Sequence, residues 1–178
     1  MFLVLLFCEN TIADSKDRDI KLNQLFEQLK KSNNASIALE IEMKIWNIWH
    51  THPTQKKLTQ SLVKGSDLMS KGDLETAYKI FSTIINSTPD WAEGWNKRAT
   101  VLYLMGRYQD SLNDIDEVLK RENRHFGALS GQGLVHTKLK NYEKAIKSYQ
   151  AVQKIYPSIR AAKVMIPQLR ELIKDETL

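Results

Sequence analysis

Four histidines, a single cysteine and a scatter of carboxylates are the residues of this chain that could do chemistry. A metal site or an acid–base pair needs such groups at helical or tight-loop spacing. His50 and His52 stand two apart beside Pro53, His125 falls between two apolar patterns, and His136 fills an apolar slot. No spacing of three or four pairs them with one another or builds an acidic ligand pattern, so no metal and no catalytic residue is expected. Gly127, Gly131 and Gly133 superficially suggest a phosphate-cradling loop, but they lie along a helical pattern, where glycine serves close packing or close ligand approach. No nucleophile motif accompanies them. With no catalytic group and no cofactor to expect, the chemistry left to this chain is recognition.

Aromatic and basic side chains are the next candidates. Trp95 holds an interior position of its pattern and is expected in the core; Trp91, just before that helix, is less determined. Trp46 and Trp49 cannot both face one narrow helical stripe, so one of them should be partly exposed. Lys138, Lys140, Lys144, Lys147, Lys154 and Lys163 make the last third of the chain basic, with Glu143 almost alone against them. That is the pattern of a solvated face, and without interleaved aromatic residues no nucleic-acid partner is expected. The formal charge of +5 favours acidic over basic partners and excludes little else.

The elements that must position these side chains follow from periodicity. Trp95 aligns with Ser61 and Leu129, Ala99 with Gly65 and Gly133, Ser111 with Ala77 and Ala145, and Ile115 with Phe81 and Tyr149, always at an offset of 34 residues. A fixed period of that size marks stacked helical hairpins. Units therefore run 58–91, 92–125 and 126–159, and a partial one starts at Arg160. Within each, apolar residues three and four apart define two amphipathic helices. Gly72 and Gly106 suit the turn between them, and Asp73 suits a helix N-cap. Small residues at Gly65, Ala99 and Gly133 let the paired helices approach. Pro89 and Pro157 stop the second helices, since proline lacks the amide hydrogen a helix needs.

Residues 14–57 read as two further helices, about 16–31 and 35–49, expected to form a divergent hairpin capping the exposed end of the array. Residues 160–178 read as a C-terminal capping helix, kinked or restarted at Pro167. At the N-terminus, an apolar run from Phe2 to Phe7 leads into Thr11-Ile12-Ala13, as in a secretory leader cleaved after Ala13. Residues 1–13 are therefore expected to be a signal peptide and the protein to be secreted or periplasmic; the other reading is a buried helical turn in a cytoplasmic protein. No lysine or arginine precedes the run, and Cys8 lies within it. No apolar run is long enough to span a membrane.

The alternation of bulky and small residues, closed by proline, resembles the tetratricopeptide repeat (TPR) family over about 58–165. The run PDWAEGWNKRAT also looks like small exported bacterial members of that family without an assigned function. Departures are Lys64, Arg98 and Gln132 at a slot usually apolar, Ser61 for an aromatic residue, and His136 where tyrosine is preferred. The resemblance implies an all-α solenoid of antiparallel helix hairpins, a right-handed superhelix whose first helices line a concave groove. Carried over residue by residue, the groove positions include Leu62, Ser66 and Met69 in the first unit. Asn96, Thr100 and Tyr103 follow in the second, and Ser130 and Leu134 in the third. Leu62, Val63 and Ser66 stand where chaperone-tail receptors of the family carry a carboxylate clamp, so clamp binding is not expected. The implied function is a non-catalytic adaptor that binds a protein or peptide in the groove. The rival reading is a structural or assembly module acting through its end caps or basic convex face.

Overall fold

The computed structural model describes the backbone of residues 3–176 and the side chains of residues 16–175. The expected leader at 1–13, with Cys8, lies outside the described side chains. Among the described residues the chain is all helix: α1 (Leu3–Lys31), α2 (Ala35–His50), α3 (Lys56–Ser70), α4 (Leu74–Ser87), α5 (Ala92–Leu104), α6 (Tyr108–Arg121), α7 (Phe126–Lys138), α8 (Tyr142–Ile155) and α9 (Arg160–Glu176). Each helix from α3 onward packs against the next, which is the order of a solenoid.

Local chemistry sets the helix ends. Gly72 and Gly106 take φ of 84° and 75°, the left-handed conformation that only glycine adopts without strain. The third turn places Lys140 there, at φ 57°. Asp73 Oδ1 accepts the Thr76 amide at 3.2 Å and caps α4. Asn34 Oδ1 does the same for α2, accepting the amides of Ser36 and Ile37 at 2.9 and 3.2 Å.

Within the units, helix approach is set by size matching. A Cβ on Gly65 would come within 2.7 Å of the Phe81 ring, and one on Gly133 within 2.7 Å of the Tyr149 ring. The middle unit carries Ala99 and, opposite, the smaller Ile115, so the methyl fits. Glycine here makes room for an aromatic ring from the second helix rather than for its backbone. Two of the three departures at the polar slot, Arg98 and Gln132, are paired in the same register. Arg98 donates from Nε and Nη2 to both oxygens of Asp114 at 2.7 and 2.8 Å, and Ser148 donates to Gln132 Oε1 at 2.8 Å. Each buries a polar side chain with its partner, as low dielectric requires.

Of the two outcomes expected at Pro167, a kink or a restart, the restart is corrected: α9 is one helix through it. Pro167 occupies the small-residue position of a fourth unit and is exposed, so the Lys163 carbonyl it leaves unbonded can be hydrated. Ala162, Ile166 and Leu169, on the other face, are buried against α7 and α8 and carry the helix across.

The second correction concerns α1 and α2, which do not cap the array beside α3. They lie across its side. Leu25, Phe26 and Leu29 of α1 and Ile41, Ile45 and Trp49 of α2 share one core with Phe126, Leu129, Val152 and Tyr156. These partners come from the turns between units and the helix ends beside them, where Trp91, Phe126 and Tyr156 concentrate aromatic surface. Burying each such ring is worth about 1.5–3 kcal/mol, more than the polar start of α3 could offer. Polar contacts then fix the register: Trp91 Nε1 donates to the Trp49 carbonyl at 2.9 Å, Tyr156 Oη to Glu42 at 3.0 Å, and Arg124 Nη1 to Asn23 Oδ1 at 2.6 Å.

Candidate functional site

Where α2 crosses the array it covers a fully buried carboxylate. Glu93, in the first turn of α5, is 1% exposed. Its Oε2 lies 3.1 Å from His125 Nε2, and its Oε1 lies 3.0 Å from Asn96 Nδ2, 3.1 Å from His50 Nε2 and 3.6 Å from Lys97 Nζ. His125 is the N-cap of α7, and its Nδ1 accepts the Ala128 amide at 3.0 Å. That bond leaves Nε2 as the ring N–H, which donates to Glu93. His50 approaches closely but without the alignment of a hydrogen bond. Burial alone pushes the Glu93 pKa up; the hydrogen bond donated by His125, the His50 ring close beside it and the charge of Lys97 outweigh it and hold the carboxyl well below the usual range. The aromatic shell is tight: Trp49 stacks on His125 at 4.0 Å and Trp46 on His50 at 5.1 Å between ring centres. Glu93 thus ties together α2, α5 and α7.

Beyond this buried hub the first helices open into a cavity of about 190 Å³, lined by Asn96, Thr100 and Tyr103 of α5 and Ser130, Gly131 and Leu134 of α7. Five of the eight expected groove residues meet there. Asn96, only 8% exposed, links the hub to the cavity, and Leu134 is 42% exposed. Thr100 turns its hydroxyl back to the Asn96 carbonyl at 2.9 Å, and Tyr103 packs near Tyr108 with ring centres 5.7 Å apart.

The other three expected residues lie elsewhere. Leu62 is 2% exposed and packs in a core with Phe81, Ile84 and Val101, so it offers no surface to a ligand. Met69 is partly buried against the same core, and Ser66 donates to the Leu62 carbonyl at 2.9 Å. In the first unit the face of α3 that carries Leu62 packs against α4 and α5.

Of the tryptophans, Trp95 departs from its expected core place, whereas Trp46 and Trp49 divide as expected. Trp91 is the interior one, 7% exposed. Trp95 is half-buried between the guanidinium groups of Arg98 and Arg121, at 5.1 and 5.0 Å, and donates to the Pro89 carbonyl at 2.8 Å. Trp49 is buried and Trp46 partly exposed. A cleft of about 420 Å³ on the far side of Trp49 and Trp91 is a seam between hairpin and array. Its arginines are engaged by backbone, Arg18 by the Thr51 carbonyl and Arg121 by that of Pro89, at 2.7 and 2.6 Å. No group of three or more metal-ligating side chains occurs among the described residues.

A TPR repeat-containing protein of Rhizobium etli is 34% identical over 156 residues, covering 85% of this chain and 74% of its own length. The chain belongs to the tetratricopeptide repeat family. The family model for the tetratricopeptide repeat matches residues 126–159, the third unit. Among solved structures, the first TPR of Spaghetti (RPAP3) bound to the HSP90 peptide SRMEEVD superposes with a TM-score of 0.64 at 17% identity, over 67% of this chain and 94% of that one. The Sgt2 TPR domain from Aspergillus fumigatus gives 0.65 at 14% identity, over 69% and 83%. At such identities these likenesses concern the fold. The TPR array explains why α5 and α7 present neighbouring first-helix faces. The buried hub was not legible in the sequence: of the four groups around Glu93, His50 and His125 come from other parts of the chain, and His125 is 32 residues away. Glu93, the one acidic residue on the groove face, was the available signal.

Proposed function

We propose that this TPR protein is a non-catalytic adaptor that holds a peptide segment of a partner in the concave cavity between α5 and α7. The observation that carries the reading is the cavity itself, in which Asn96, Thr100, Tyr103, Ser130 and Leu134 converge around about 190 Å³. Its walls are apolar with a few hydroxyl and amide groups, the composition that anchors side chains while leaving polar groups to meet a peptide backbone. The HSP90 peptide held by the Spaghetti TPR supports peptide capture as a use of this fold. Export of the chain after removal of residues 1–13 is part of the same proposal.

The test compares two variants in a crosslinking pull-down. Tyr103→Ala with Leu134→Ala should weaken capture while leaving helicity intact, because neither residue is fully buried. Reversal of the exposed Lys144, Lys147 and Lys154 to glutamate should leave capture unchanged. The opposite result, loss on lysine reversal and normal capture by the cavity variant, would falsify the adaptor reading in favour of a convex-face assembly module.

A further inference from the structure

We infer that α2 is itself part of the receptor: it forms a second wall of the binding site, and the joint site selects a peptide with an apolar side chain next to an acidic one. The inference rests on the groove reading above and adds to it the contribution of the hairpin and the charge of the ligand.

The geometry is continuous from the cavity to α2. A second depression of about 500 Å³ is lined by Met43, Trp46, Asn47 and His50 of α2 together with Lys97 of α5. It adjoins the first cavity at two points. Asn96 and Lys97 are successive residues facing one space each, and Gly127, which lines the first cavity, lies against Trp46 so closely that a Cβ would sit 2.5 Å from the indole. The α2 wall is rigid. Trp46 donates to Glu42 Oε1 at 3.2 Å, stacks on His50 and meets Trp49 edge-on with ring centres 5.4 Å apart. Behind it Ile45 is wholly buried and Trp49 is 4% exposed.

This wall presents apolar surface that the fold does not use. Met43 is 64% exposed and Leu39, one turn before it on the same face, is 54% exposed. Opposite them Lys97 carries the only permanent charge among the described residues lining the two spaces. Glu93, 3.6 Å from Lys97, already receives closer donors from His125 and Asn96, so ammonium hydrogens of Lys97 stay available to an incoming carboxylate. An apolar side chain against Met43 and an acid at Lys97 therefore complement the site. A basic peptide would be repelled at a place where surrounding apolar groups reduce solvent screening.

The test uses the full chain and three fluorescein-labelled synthetic dodecapeptides, identical except for Glu, Gln or Lys between two leucines, read by fluorescence anisotropy. The Glu peptide should bind about tenfold more tightly than the Lys peptide. Met43→Asp, at an exposed position, should weaken the Glu peptide about tenfold with an unchanged melting temperature. Lys97→Glu should reverse the preference; Lys97→Gln, which keeps much of the stem and disturbs Glu93 less, should abolish it. Equal binding of all three peptides, no binding of any, or wild-type affinity in Met43→Asp overturns the inference. If Tyr103→Ala with Leu134→Ala still loses binding in that last case, the groove reading stands without the α2 wall. Binding lost in Met43→Asp but kept in the cavity pair overturns the groove reading and the joint site with it.

Discussion

Lys140 and Glu93 show how much one residue can carry. Lys140 takes, at φ 57°, the place that Gly72 and Gly106 fill in the other two units. A side chain in the left-handed region costs about 1–2 kcal/mol, so Lys140→Gly should stabilise the protein by about 1 kcal/mol after the extra entropy of glycine in the unfolded chain is subtracted. Urea melts of the two proteins would measure it, and an unchanged midpoint would refute the strain. Glu93, His52 and His136, each held below its ordinary value, contribute to the response to acid. His52 is held below its ordinary value of 6.5 by burial and by the Arg18 charge, and its Nδ1 accepts the Thr54 and Gln55 amides. A histidine with a lowered folded pKa favours the fold fully above 6.5, and that contribution is lost as pH falls below it. A carboxylate with a lowered folded pKa favours the fold above its ordinary value of 4.5, and that contribution is lost below it. Stability should therefore decline in two stages, one beginning near pH 6.5 and a steeper one below 4.5. Glu93→Gln should flatten only the second stage, measured by denaturant melts across pH.

Helices and turns are where sequence reading succeeded and failed for separable reasons. The repeats were legible because every feature that defines a hairpin lies within a few residues: Gly72 and Gly106 at the turns, Asp73 at a cap, Pro89 and Pro157 after the second helices. Even the polar slot of Arg98 and Gln132, a departure from pattern, has partners 16 residues away in its own unit. The position of α1 and α2 was not legible. It depends on contacts such as Trp91 with Trp49, 42 residues apart, and Arg124 with Asn23, 101 apart. For the same reason half of the proposed binding site stayed hidden. Alignment placed Thr100, Tyr103 and Leu134 on one face but could not show that α2 walls that face, or that Leu62 turns away from it. The contact that seats α2 is Gly127 under Trp46. Gly127→Ala should push the indole aside and cost about 1–3 kcal/mol, as overpacking does. Hydrogen exchange should rise in α2 more than in α4. Equal rises in both would mean that the contact does not hold the hairpin.

On the scale of the whole molecule, stacking alone would make stability a sum of unit and neighbour terms. The hairpin changes that, because it bridges the second and third units. Ala99→Leu, placed between α5 and α6, should cost about 1–3 kcal/mol through overpacking, and the loss should reach α1 and α2 as well as the adjoining repeats. Hydrogen exchange would show it; protection lost only in α5 and α6 would mean that the array is less coupled than its contacts imply. The bond between Glu42 and Tyr156 spans 114 positions, and that separation has a consequence in time. A ribosome adding about 5–20 residues per second needs roughly 6–20 s to travel from one to the other. Until Phe126, Val152 and Tyr156 have been added, Phe26, Ile45 and Trp49 are only partly covered, and the nascent chain carries an open apolar face. The third repeat, once made, closes that face.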